Sequence, residues 1–291
     1  MRHVRHTPVV FQPLEQRTLL SAGVTPGGIA WSYDPATNTG AVNGTDAGEW
    51  IIVQRSTTTG NVLIMQRNGV ATVTTETLIP TGSSLTLQIN AGGGNDNIIN
   101  RLKGTTAWGP PQVMLAEIHG GAGDDQLMAG DGSNTLWGDD GNDWISNSQF
   151  FSNTTAYGGV GNDHMDFKRG KGVFDGGIGD DIITVWSKPD AGSSFRGGEG
   201  NDTLISQNGA GGELYGDAGN DIFMIYKSLW SNIPDGAGVF SGGDGTDTFQ
   251  YYGYSSYQAV TTKPADGVLG EKAFGYPYKG IGTNWVQPLG I

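Results

Sequence analysis

The stretch GGAGDDQLM (Gly120–Met128), AGDGSNTLW (Ala129–Trp137), GDDGNDWIS (Gly138–Ser146) decides how the rest of the chain is read. It is three consecutive nonapeptides, each with glycine at the fourth place, Asp or Asn at the sixth and a large apolar residue at the eighth. Glycine at a fixed place marks a recurring turn, where positive φ or close backbone approach excludes a Cβ. One apolar residue per unit marks a short strand that sends one side chain inward, because side chains alternate between faces.

Anchored on the sixth-place acid, the register continues in both directions. Further copies are AGGGNDNII (Ala91–Ile99), GGVGNDHMD (Gly158–Asp166), GGIGDDIIT (Gly176–Thr184), GGEGNDTLI (Gly197–Ile205), GDAGNDIFM (Gly216–Met224) and GGDGTDTFQ (Gly242–Gln250). The starts at 120, 138, 158, 176, 197, 216 and 242 are 18, 20, 18, 21, 19 and 26 apart, a second period of about two nonapeptides. The intervening halves lack the loop motif but keep an apolar residue two places before each loop: Ile89, Ile118, Leu136, Ala156, Phe174, Phe195, Leu214 and Phe240. The eighth places hold Ile98, Leu127, Leu136, Ile145, Met165, Ile183, Leu204, Phe223 and Phe249. Two apolar rows predict a thin core between two layers of short strands. In FKRGKGVFD (Phe167–Asp175) the glycine and Phe174 survive while Lys and Arg replace the acids. One edge therefore keeps its acidic loops and the other mostly loses them, and Ala129–Trp137, with Asn134 as a weaker neutral ligand, belongs to the second edge.

These nonapeptides follow G-G-x-G-x-D-x-U-x, a repeat of parallel β-helices that bind Ca²⁺. The chain resembles the RTX, or hemolysin-type calcium-binding, family. The resemblance implies an all-β fold: a right-handed parallel β-roll (a β-helix solenoid) in which two nonapeptides make one turn. Loops one turn apart then stack, and calcium ions lie between successive rungs. It assigns the metal sites to Asp96; to Gly120, Gly121, Gly123 and Asp125; to Gly138, Asp140, Gly141 and Asp143; and to Gly158, Gly159, Gly161 and Asp163. Further along it assigns Gly176, Gly177, Gly179 and Asp181; Gly197, Gly198, Gly200 and Asp202; Gly216, Gly219 and Asp221; and Gly242, Gly243, Gly245 and Asp247. Seven stacked loops from Asp125 to Asp247 leave six gaps, hence about six Ca²⁺ ions along one edge, whose charge nearly cancels the −13 of the chain.

Calcium suits the composition as well as the motif. It takes about six to eight oxygen ligands and tolerates irregular geometry, whereas magnesium demands a near-octahedral shell. Zinc asks for His or Cys, and the chain has four histidines and no cysteine, which also removes thiol chemistry and disulfides. The negative charge argues against nucleic acid as a partner. No apolar run approaches the ~18 residues of a membrane span. A glycine-rich phosphate loop is rejected, because each loop is followed by another short β-type run rather than a helix.

The flanks read differently. FQPLEQRTLLSA (Phe11–Ala22) resembles the LEPR-xLL motif at the start of exported or surface proteins of planctomycete-type bacteria, with Gln16 replacing proline. Residues 1–22 are therefore expected to be an export peptide, and the protein to be extracellular or at the cell surface. Residues 23–90 hold β-type runs at Trp50–Val53, Val62–Met65 and Leu85–Ile89 and a degenerate nonapeptide, GTDAGEWII (Gly44–Ile52), with Ala47 and Glu49 in place of Gly and Asp. This N-terminal β segment is expected to close one end of the roll formed by residues 91–250. Residues 251–291, rich in Tyr, Phe and Trp, are expected to cap the other end.

Catalytic signatures are missing. His3, His6, His119 and His164 form no HExxH, and no GxSxG occurs. Tyr33-Asp34-Pro35 sits in a turn composition. Acidic pairs such as Asp124-Asp125 and Asp180-Asp181 recur inside the loops, so ligand duty explains them better than glycosidase chemistry. The function expected is a non-catalytic extracellular calcium-binding repeat protein that folds or stiffens on binding calcium. The alternatives are an adhesin or carbohydrate-binding module, whose partner is a surface polysaccharide or another cell-surface protein, and a β-helix polysaccharide lyase or epimerase.

Overall fold

The computed structural model describes residues 21–24, 28–55, 62–68, 71–77, 85–102, 115–147, 152–207, 212–226, 238–252 and 257–261. They form two long sheets, and there is no α-helix among the described residues. The first sheet begins with β1 (Ser21–Val24), β2 (Ala30–Asp34), β3 (Thr39–Asn43), β7 (Thr86–Gly93), β9 (Leu115–Ala122) and β11 (Gly132–Asp140). It continues through β13 (Ser152–Val160), β15 (Lys171–Ile178), β17 (Ser194–Glu199), β19 (Gly212–Ala218) and β21 (Gly238–Asp244). The second begins with β6 (Ala71–Thr77), β5 (Val62–Asn68), β4 (Trp50–Arg55), β8 (Asn97–Asn100), β10 (Gln126–Met128) and β12 (Trp144–Ser146). It ends with β14 (His164–Phe167), β16 (Ile182–Val185), β18 (Thr203–Ser206), β20 (Ile222–Tyr226), β22 (Thr248–Tyr252) and β23 (Tyr257–Thr261).

Every strand of the repeat region pairs in parallel with the strand one turn away. In the first sheet Leu136 sits between Ile118 and Ala156, and in the second Ile145 sits between Leu127 and Met165. The chain thus alternates between sheets, one strand in each per turn, which is the parallel β-roll the nonapeptides predict. The roll starts before residue 91, because β3 and β4 already pair in parallel with β7 and β8. The other described strands of the N-terminal segment are not rungs. Strands β1 and β2 extend the first sheet antiparallel to β3, and β5 and β6 extend the second antiparallel to β4. At the far end β23 turns back antiparallel along β22. Such hairpins occupy edges that would otherwise offer unpaired backbone groups.

The core is the two expected rows. Val42, Ile89, Ile118, Leu136, Ala156, Phe174, Phe195, Leu214 and Phe240 from the first sheet are buried. They face Ile51, Ile98, Leu127, Ile145, Met165, Ile183, Leu204 and Phe223 from the second. Phe167 packs edge-on against Phe174 at 5.8 Å and against Phe195 at 5.1 Å between ring centres. Gly172 makes this possible, since a Cβ there would lie 2.6 Å from the Phe167 ring. Tyr157, beside the small Ala156, does not fill the core: it is 39 % exposed and stacks on Trp137. The Tyr33-Asp34-Pro35 segment is a turn, in which Asp34 accepts the Ala36 N–H and the Thr37 hydroxyl proton, each at 2.9 Å. Residues 1–20, Trp108 with Pro110 and Pro111, the side chain of Phe249 and the aromatic side chains from Tyr251 onward lie outside what is described.

Candidate metal centre

The acidic loops all lie on one edge of the roll, where each first-sheet strand crosses to the second sheet. There the pairing skips one residue per rung. Trp137 pairs with His119 and Asp139 with Gly121, so the first-place glycines Gly138 and Gly120 drop out. The same skip recurs between Tyr157 and Gly159, between Arg196 and Gly198, and between Tyr215 and Asp217. The second and fourth places take positive φ, as at Gly121 (106°), Gly123 (129°) and Gly161 (138°). Asp139 (74°) and Asp217 (72°) adopt it without being glycine. Rungs approach so closely that a Cβ at Gly141 would lie 1.9 Å from the carbonyl oxygen of Gly123.

The sixth-place aspartates form one buried column. Oδ1 of each accepts the backbone N–H of the aspartate one rung earlier. Asp96 donates to Asp125, Asp125 to Asp143 and Asp143 to Asp163, each at 2.7 Å. Asp163 donates to Asp181 at 2.7 Å, Asp181 to Asp202 at 2.8 Å, Asp202 to Asp221 at 2.9 Å and Asp221 to Asp247 at 3.0 Å. The column is thus one aspartate longer than the seven loops counted from Asp125, because Asp96 joins it. At its N-terminal end Glu49 takes the aspartate's place and donates its N–H to Asp96 Oδ1 at 2.6 Å. The Glu49 carboxylate is turned on its own loop, accepting the Thr45 N–H at 3.2 Å and the Thr45 hydroxyl. The degenerate repeat therefore closes the column.

The second oxygen of every aspartate is left over. Oδ2 of Asp96, Asp125, Asp143, Asp163, Asp181, Asp202, Asp221 and Asp247 is buried and has no hydrogen-bond donor. In the loops of Asp125, Asp143, Asp163, Asp181 and Asp221 it lies against the first-place glycine of its own loop, beside the carbonyl of the next. A Cβ on Gly138 would meet Asp143 Oδ2 at 2.1 Å and the Gly158 carbonyl oxygen at 2.4 Å, and Gly158, Gly176 and Gly216 repeat the arrangement. Buried acceptors side by side without a donor are costly unless a cation lies among them. Burial pushes the carboxyls up, to about 6 for Asp125, Asp163 and Asp202, about 7 for Asp96, Asp143 and Asp221, and about 8 for Asp181. Asp247 is raised as well, and in each case the N–H from the neighbouring rung pulls the other way. Among the described residues no three acidic or histidine side chains gather at one point. Each gap brings two carboxylates together, so further ligands must be backbone carbonyls. That oxygen-only donor set fits calcium and not zinc.

The family model described as RTX calcium-binding nonapeptide repeat (4 copies) matches residues 118–149 and 193–211. Over those residues the chain carries RTX calcium-binding nonapeptides. No curated protein and no solved structure matches it. The matched segments hold the loops of Asp125, Asp143 and Asp202, and the column runs through the unmatched loops in the same register.

A second ladder on the RTX loops is one the repeat consensus does not announce. The fifth-place side chains of Asp124, Asn142, Asn162, Asp180, Asn201 and Asn220 each accept, through Oδ1, the fifth-place N–H of the following loop at 2.7–3.0 Å. Their bonds point opposite to those of the inner column. Asp124 and Asp180 thus stitch loops together at the surface, and the N–H bond from Asn142 holds the Asp124 carboxyl below its usual range. The signal was present as a recurring Asn or Asp at the fifth place. The Asp140 side chain is exposed, and its part in the loop is the carbonyl, which accepts the Gly123 N–H at 2.8 Å.

Among the described residues the opposite edge carries no such column. Asn134, expected as a weak ligand, spends its amide on the turn it sits in, donating to the Gly130 and Gly132 carbonyls at 2.9 and 3.3 Å. Asn147 likewise donates to Arg169 O at 2.8 Å and to Ser152 Oγ at 3.1 Å. His119 stacks on Trp137 at 4.2 Å and meets Asp139 at 3.1 Å, and His164 points outward at the surface. Neither imidazole bonds to a column carboxylate.

Proposed function

We propose that the protein is an extracellular or cell-surface structural module whose roll is completed by a line of calcium ions between successive RTX loops. The observation that carries this reading is the unbroken row of buried, donor-less Oδ2 atoms from Asp96 to Asp247. Asp96, Asp125, Asp143, Asp163, Asp181, Asp202, Asp221 and Asp247 would supply the charge, and the first-place and neighbouring loop carbonyls the remaining oxygens. Eight aspartates enclose seven gaps, one more than the sequence count, with Glu49 ending the row. Calcium would neutralise the column and hold neighbouring rungs together, a folding contribution that only the folded chain can collect. Extracellular modules bind calcium at roughly 10⁻⁴–10⁻³ M, which matches the concentration step on leaving a cell. The reading is non-catalytic: the carboxyls raised to about 6–8 lie in the column and not in an open cleft.

Calcium titration by calorimetry tests it. Bound ions should number close to the gaps, and excess EDTA should abolish most of the β circular dichroism. Asp181→Asn keeps an acceptor for the Asp163 N–H but removes charge from both flanking gaps, so stoichiometry should fall by about two. Unchanged stoichiometry, or a melting curve indifferent to EDTA, would overturn the column as the calcium site.

A further inference from the structure

Along the described part of the roll the basic residues are not evenly spread. Between residues 115 and 226 there are five, Lys168, Arg169, Lys171, Lys188 and Arg196, and the first four fall within 21 residues on the edge opposite the aspartate column. Lys168 and Arg169 belong to the connection between β14 and β15, Lys171 opens β15, and Lys188 lies in the connection between β16 and β17. The two connections touch, Asp190 N–H donating to the Gly170 carbonyl at 2.8 Å. Arg169, Lys171 and Lys188 are exposed and have no acidic partner among the described residues.

Beside these cations stand two indoles. Asp166 follows the core residue Met165, so it faces outward, yet it is only 4 % exposed because Trp144 and Trp186 cover it. Both donate their Nε1–H to its carboxylate, Trp186 at 2.6 Å to Oδ1 and Trp144 at 3.2 Å to Oδ2. Lys168 completes the cluster, with Nζ 3.0 Å from Asp166 Oδ2 and 4.7 Å from the centre of the Trp186 ring. The tryptophans remain 49 % and 43 % exposed. A buried carboxylate thus fixes two rings by their polar ends and leaves apolar ring surface to solvent. Core packing does not need this, and single-sided burial of a locked aromatic is the arrangement of a contact surface.

We propose that this edge and the outer face of the second sheet beside it bind an anionic polysaccharide, its sugar rings lying on Trp144 and Trp186 and its acidic groups meeting Arg169, Lys171 and Lys188. Charge complementarity selects the occupant. A duplex nucleic acid carries about one charge per 1.7 Å and buries its base faces in the stack, whereas a sugar acid presents sparser charge between apolar ring faces that the two indoles can meet. A membrane surface is a poorer match, because interfacial tryptophans keep their N–H for the wet side of the boundary, and here both are consumed by Asp166. Trp144 directly follows the column residue Asp143, but its indole lies on the outer face of the second sheet against Asp166, and the three cations sit on the far edge, so the glycan and calcium use different ligands.

Affinity electrophoresis of the calcium-loaded chain tests this, with dextran sulfate as the probe and dextran as the neutral control. Dextran sulfate should retard the chain and dextran should not. Trp144→Ala with Trp186→Ala should weaken retardation about tenfold, two lost stacking contacts together. Arg169→Glu, Lys171→Glu and Lys188→Glu, all at exposed positions, should abolish it without changing the circular dichroism. Bound calcium measured on the same samples separates loss of this site from loss of the calcium-dependent fold. Equal retardation by both polymers, retardation indifferent to the tryptophans, or binding to phosphatidylserine vesicles but not to dextran sulfate would each overturn the proposal.

Discussion

Glycine is the residue on which the loops turn, but glycines here differ sharply in what they protect. At Gly141 the backbone has a φ of 143° and an added Cβ would sit 1.9 Å from the Gly123 carbonyl oxygen. At Gly40, in β3, the nearest atom to an added Cβ is 3.8 Å away and the φ is ordinary. Gly141→Ala should cost at least the ~1–3 kcal/mol of a strained backbone position, and the rung contact adds to that. Gly40→Ala should be neutral or slightly stabilising, through the unfolded chain. Thermal melts in saturating calcium compare them, and equal melting temperatures would show that rungs do not approach as closely as described. The nonapeptide pattern could not separate these roles for second and fourth places from the role of the first place, where glycine leaves room for a carboxylate oxygen. That distinction depends on which atom of the next rung arrives, and nothing within one repeat encodes it.

At the scale of elements, the thin core concentrates its stability in few contacts. Phe195 touches Phe167 and Phe174 at 5.1 and 5.7 Å between centres, bridging the two sheets at the position where Gly172 makes room. Phe195→Ala should destabilise by about 3–5 kcal/mol, read as a fall in the midpoint of urea unfolding. A loss below ~1 kcal/mol would mean that the aspartate edge, and not the core, holds these rungs together. The strands of the roll were legible because two periods coincide: one apolar residue per nonapeptide and one acidic loop per pair. The hairpins β1–β2 and β5–β6 were not legible as sheet extensions, because they lack the repeat and their pairing depends on the edges the roll happens to expose. The Asp166 cluster was equally hidden. Trp144, Asp166 and Trp186 are scattered over three rungs in sequence, and only the stacking of rungs brings them to one carboxylate.

For the whole molecule the aspartate column sets a pH dependence opposite to that of most folded proteins. Its carboxyls are raised to about 6–8 in the folded chain, against about 3.9 when unfolded. Without metal, the stability tied to them is fully present below ~3.9 and is lost as pH rises through 6–8. Asp166, which burial pushes up but its indole and lysine partners hold lower still, acts in the other sense: its contribution is present above ~3.9 and is lost as pH falls through its depressed value. In chelator, the β signal of circular dichroism should therefore be strongest in mild acid and decline toward pH 8. With calcium the trend reverses, because protons compete for the same oxygens and affinity should rise over the same window. A metal-free chain equally folded at both ends of that window would contradict the burial of the column. Each rung, finally, is bonded only to the rung before it and the rung after it, and Glu49 closes the row once, at its beginning. Such a molecule has no interior that fixes its size; its length is an integer that the gene can change. Duplicating residues 158–175, one full turn, should yield a chain that still folds, is longer by one strand spacing of ~4.8 Å and binds one more calcium ion. Small-angle scattering and calorimetry would read both increments, and a collapse of the fold would show that the ends sense the middle.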